Sequence, residues 1–191
     1  MRYPIIAFMI LFSCQNKNNI TLKPVVSNES VFMKANYRHP EKDSIILDLP
    51  LEYKIINNSS KEIDNSDILI THNGHSLSYL DDFIVFDKNQ YYSNNFLETK
   101  KKIKQKEQLH IIIRENYIYI SKKEAYQILK KYNIDQNLLK TTKAVKIVNF
   151  NKFIIENPEI MNEINKSNDS ILLSNFNKGT LIFINRKKIN W

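Results

Sequence analysis

The chain has 191 residues, with one cysteine, one tryptophan and two glycines, and its 28 Lys and Arg against 20 Asp and Glu give a net charge of +8. Gly74 and Gly179 alone cannot build a phosphate-cradling loop, a dinucleotide fingerprint or a nucleophile elbow, and no His-Glu-x-x-His is present for a zincin helix. The basic excess is nearly all lysine, with Arg2, Arg38, Arg114 and Arg186 the only arginines, which argues against nucleic acid because bidentate base and phosphate contacts favour arginine.

Residues 1–13 read as an export signal: Arg2, an apolar stretch from Tyr3 to Phe12, and small Ser13. About ten apolar residues are too few for a bilayer core that needs roughly 20, so the segment is not an anchor helix. The run Leu11-Phe12-Ser13-Cys14 resembles the lipobox of bacterial lipoproteins, with an aliphatic residue three places before the cysteine and a small one directly before it. Phe12 is bulkier than that pattern usually carries. The resemblance implies a diacylglyceryl group on the Cys14 sulfur, cleavage before it and acylation of the new amine, and two or more acyl chains anchor a protein stably. Gln15 in place of Asp after the cysteine implies, by the same resemblance, the outer membrane facing the periplasm. The alternatives are a free cysteine at the end of an ordinary cleaved signal and a fortuitous apolar N-terminus. Residues 14–19 then form a tether, and the five after Cys14 reach roughly 17 Å when extended. No cysteine follows Cys14, so the folded body has no disulfide and its core must hold it together.

From Ile20 to about Ile120 the apolar pattern has period two, the signature of half-buried strands. Val31, Met33, Ala35 and Tyr37 share one face, and Leu47, Leu49, Leu51, Tyr53 and Ile55 another. Pro50 makes the latter segment an edge strand or bends it there. A turn is expected at Asn57-Asn58-Ser59-Ser60-Lys61, then strands at 67–72, 75–87 and 109–114. This alternation predicts a mainly β, α+β chain, with a β-sandwich over 20–120 and a smaller mixed α/β region over 121–191. The run from Leu51 to Ile63 resembles a strand and turn of immunoglobulin-like domains in secreted bacterial proteins, which implies an immunoglobulin-like sandwich. After Ile120, Ser121 and Glu124 form a capping box ahead of Ala125, Ile128, Leu129 and Tyr132 at helical spacing. A strand over 144–150, a short helix opened by Asn157-Pro158, and a hairpin of 169–176 with 180–185 complete the region.

Asn73-Gly74 between strand patterns predicts a two-residue type I′ hairpin that sets His72 opposite His75 on one face. Two imidazoles side by side suit Zn²⁺, but no third ligand is nearby, and polar ends closing a core face account for them better. Asp81-Asp82 point to opposite faces in a strand and so fit a cap or strand-end charge pair better than a catalytic pair. His39 and His110 stand alone, and the tyrosines, including Tyr91-Tyr92, Tyr117 and Tyr119, suit either a core or a glycan-binding surface. The run from Lys100 to Lys106 suits a solvated loop or anionic headgroups. Asp43-Ser44-Ile45 and Asp169-Ser170-Ile171 resemble the acceptor of a bacterial O-glycosylation system.

These readings lead to a lipid-anchored, non-enzymatic cell-envelope module without a cofactor. It is expected to meet the membrane through Cys14 and an envelope protein or glycan through its strands and loops. The alternatives are a periplasmic inhibitor or immunity protein, using a loop such as 87–95, and a metal-binding protein or metal-dependent hydrolase using His72 and His75.

Overall fold

A computed structural model describes residues 20–37, 39, 42–63, 66–78, 81–88, 102–141, 143–177 and 180–191, with 66, 175–177 and 180–184 as backbone alone. The signal, Cys14 and the tether, most of the 87–95 loop with Tyr91-Tyr92, the head of the lysine run, and Gly179 lie outside the described residues. The strands form three antiparallel four-stranded sheets. The first runs β1 (Ile20–Val25), β4 (Pro50–Asn57), β8 (Gln108–Glu115), β7 (Phe83–Asp87). The second runs β10 (Val145–Asn149), β2 (Ser30–Ala35), β3 (Ser44–Asp48), β9 (Tyr119–Ser121), and the third β12 (Thr180–Lys188), β11 (Ser170–Asn177), β5 (Ser66–His72), β6 (His75–Ser76). Helices α1 (Lys122–Lys131), α2 (Phe150–Glu156) and α3 (Pro158–Ile164) belong to the last third of the chain. The mainly β, α+β class expected from the alternation is the class observed. Its strands are spread over three sheets, where an immunoglobulin-like sandwich has two.

Two long period-two runs are each divided between sheets. The run through Leu47 and Ile55 becomes β3 and β4, because the chain turns at buried Leu49 from the second sheet into the first. Pro50 opens β4, a position that needs no ladder donor, and β4 lies between β1 and β8 rather than on an edge. The 75–87 run becomes β6 and β7. Between them Asp82 N–H donates to Ser78 O, and Ser78 N–H donates to Asp82 Oδ2, both at 2.8 Å. Asp82 therefore closes a turn.

The C-terminal strands pair with N-terminal ones. β10 lies against β2 with Val145 opposite Met33, and β11 against β5 with Ile171 opposite Ile70. The 20–120 and 121–191 regions thus share two of the three sheets. Leu47, Leu49, Ile55, Ile70, Phe83, Ile111 and Phe153 are fully buried in one apolar cluster that draws on all three sheets and the helices. Such side chains contribute roughly 1.5–3 kcal/mol each relative to exposure.

Polar side chains tie the first sheet to the second. On β8 the Arg114 guanidinium lies 5.0 Å from the Phe32 ring, donates through Nη1 to Ser30 O at 2.5 Å and reaches Asp48 Oδ1 at 3.4 Å. Asp48 also accepts from Lys34 Nζ at 2.6 Å. On the opposite face of β8, Glu115 follows Leu109, Ile111 and Ile113 into the core and is fully buried.

Candidate functional site

The β5–β6 hairpin forms as its sequence requires. Asn73 and Gly74 have φ of 49° and 85°, both positive as in a type I′ turn, and His72 is opposite His75. The two imidazoles do not act as a pair, because His72 turns its Nδ1 to Asp169 Oδ1 at 2.8 Å, 97 residues away in sequence. Among the described residues no three His, Cys, Asp or Glu side chains converge as a metal site would need. His110, half-buried on the face of β8 that carries Ile112 and Arg114, has Nε2 2.5 Å from Glu52 Oε1.

Asp169 is 1% exposed and is the centre of the site. Its Oδ2 accepts from Tyr117 Oη at 3.0 Å, Trp191 Nε1 at 2.9 Å and Ser167 Oγ at 2.7 Å, while Oδ1 faces His72. One carboxyl thereby joins the third sheet, the β8–β9 connection, the α3–β11 loop and the residues after β12. Burial first, then the neighbouring carboxyls of Glu115 and Asp169, push the Tyr117 hydroxyl far above its ordinary value, so it remains a donor.

A second link lies beside the first. Asn73 Oδ1 accepts from Asn168 N–H at 2.9 Å, which turns Asn73 Nδ2 toward His72 Nε2 at 3.2 Å. Successive residues of the hairpin, 72 and 73, are thus clasped to successive residues of the loop, 169 and 168. In the matching tautomer Nδ1–H donates to Asp169 and Nε2 accepts from Asn73, and both ring nitrogens are engaged.

Above this clasp is a cavity of about 310 Å³. Its walls are Tyr117, Ile118 and Ile120 on one side and Ile160 and Ile164 of α3 on the other, with His72, Ser167 and Asp169 at its polar end. Tyr119, Glu124 and Glu163 are exposed at its mouth. Apolar walls, a few convergent polar groups and this size are the attributes of a small-ligand pocket. The lining shares Glu124, Ile160 and Glu163 with a larger acidic groove, of about 720 Å³, between α1 and α3. No helix among the described residues is long and apolar enough to cross a membrane.

His72 was marked by the sequence, but its partner was not. Asp169 precedes a strand, where Asp is common, and nothing local joins it to a residue 97 positions earlier. The O-glycosylation resemblance at Asp169-Ser170-Ile171 falls on side chains 1% and 3% exposed, so in the folded chain Ser170 is core and not surface.

Fold and site together define a mainly β domain of three sheets with a lateral ligand-sized cavity. No family model, curated protein or solved structure matches the chain.

Proposed function

We propose that the chain is a cell-envelope binding module, anchored by lipid on Cys14 and facing the periplasm, that receives a small ligand or a partner's side chain in the cavity beside His72. The cavity carries this reading: apolar walls meet a polar end whose geometry is set by the Asp169 clasp. The clasp also supports binding over acid–base catalysis. A general base needs a ring nitrogen within reach of a substrate proton, whereas His72 has Nδ1 on Asp169 and Nε2 on Asn73. Tyr119, 43% exposed at the mouth, offers the amphipathic ring suited to a glycan or peptide.

Photo-cross-linking tests the proposal, with p-benzoylphenylalanine at Tyr119 of the full chain in a bacterial envelope. A discrete adduct is expected, reduced at least tenfold when Ile120→Phe and Ile164→Phe fill the cavity in a protein that still melts cooperatively. An adduct indifferent to filling, or none, contradicts the cavity as the binding site.

A further inference from the structure

A separate cavity, of about 340 Å³, is lined in part by Trp191. Pro24, Pro50, Tyr53, Phe150, Ile154 and Trp191 give it apolar walls between the end of β1, the start of β4 and α2. Its charge comes from one direction. Lys187 and Lys188 of β12 stand exposed at its rim, and neither is paired with a carboxylate among the described residues. The single acidic residue in the lining, Glu52, is held by Lys88 Nζ at 2.6 Å. Val26, which also lines the cavity, is 67% exposed, and Ile155, next to Ile154 on α2, is 74% exposed. An exposed apolar side chain in the lining of an apolar cavity with a cationic rim suits a covering group of amphipathic character.

We propose that this cavity takes the hydrocarbon tail of an anionic amphiphile, whose carboxylate or phosphate head rests on Lys187 and Lys188 while Val26 and Ile155 cover the tail where it leaves. Burial of the tail supplies the attraction, and the two ammonium groups select the sign of the head. A neutral ligand leaves the lysines unused, and a cationic one meets like charge. The site stands apart from the His72 cavity and does not depend on lipid at Cys14.

The chain's single tryptophan reports the cavity without a label. Dodecyl phosphate, kept below its micellar concentration, is expected to produce a saturable change in Trp191 emission at concentrations at least tenfold lower than dodecyltrimethylammonium, which has the same tail and the opposite head. The double variant Lys187→Glu and Lys188→Glu, two exposed positions that leave the core intact, is expected to reverse that preference. The two natural sources are separated by flotating the Cys14→Ser chain with phosphatidylglycerol or phosphatidylcholine vesicles. Flotation with phosphatidylglycerol alone identifies a bilayer lipid, and binding of free dodecyl phosphate without flotation identifies a free fatty acid or similar monomer. No saturable emission change, an equal response to both head groups, or a response unaltered by charge reversal overturns the proposal.

Discussion

Asp169 and Glu115 are both carboxyls in the core, and their surroundings give them opposite roles. Asp169 accepts from three donors on one oxygen and faces His72 with the other, so removing it strands donors from four segments, with those of Tyr117 and Trp191 buried. Asp169→Asn, which puts an amide N–H₂ among those donors, is expected to cost about 3 kcal/mol in urea unfolding. It should also shift the emission of Trp191, whose indole N–H it no longer accepts properly. Glu115 has no partner for either oxygen among the described residues. Burial first, then the charges of Asp169, Asp48 and Asp82, hold it protonated well above its ordinary value of 4.5. The unfolded chain loses this proton near that ordinary value while the folded chain keeps it, so the folded state binds more protons and stability falls as pH rises above about 4.5. In Glu115→Leu, a side chain that matches Leu109, Ile111 and Ile113 on the same face, that contribution to the pH slope disappears. Stability at pH 7 rises by about 1–3 kcal/mol, the cost of an unpaired buried polar group. Urea unfolding of both chains from pH 5 to 8 reads the two effects, and an unchanged slope contradicts them.

Elements with a local chemical signal were legible in the sequence. At α1 the capping box forms with both bonds, Glu124 N–H to Ser121 Oγ at 3.2 Å and Ser121 N–H to Glu124 Oε2 at 2.8 Å. Ser121→Ala should therefore cost about 1 kcal/mol by chemical denaturation. The β5–β6 turn is equally local. Gly74 has φ of 85° and nothing within 4 Å of an added Cβ, so Gly74→Ala should cost about 1 kcal/mol through backbone strain alone. Sheet membership is not local, which is why the alternation that marked 47–55 and 75–87 as strands did not reveal that each feeds two sheets. Helix α2 was missed for another reason. Asn149 caps it by accepting from Lys152 N–H at 2.9 Å, and Phe150, Phe153 and Ile154 turn to the core at i, i+3 and i+4, but seven residues make less than the window of about 11 residues over which that period stands out. The clasp on His72 is the extreme case, since both its links join residues 95 or more positions apart.

The molecule as a whole is stitched across residue 120. β2 and β5 each take a neighbour from the last third of the chain, and the apolar cluster includes Phe153, Met161, Ile171 and Trp191. One cooperative unfolding transition is expected, coincident by Trp191 emission and far-ultraviolet circular dichroism. A fragment of residues 20–120, with one edge each of β2 and β5 open and the hub at Asp169 gone, should not fold by itself. The cavity is a product of the same stitching, since its walls come from β9 and α3 and its polar end from β5 and the loop before β11. The most direct test of the account is native mass spectrometry of the full chain released from its own membranes. The predicted result is a chain beginning at Cys14, carrying a diacylglyceryl and an acyl group, with one noncovalent ligand or partner lost when Ile120→Phe and Ile164→Phe fill the cavity. An unmodified Cys14 in a chain that holds nothing, or a set of adducts that filling leaves unchanged, contradicts it.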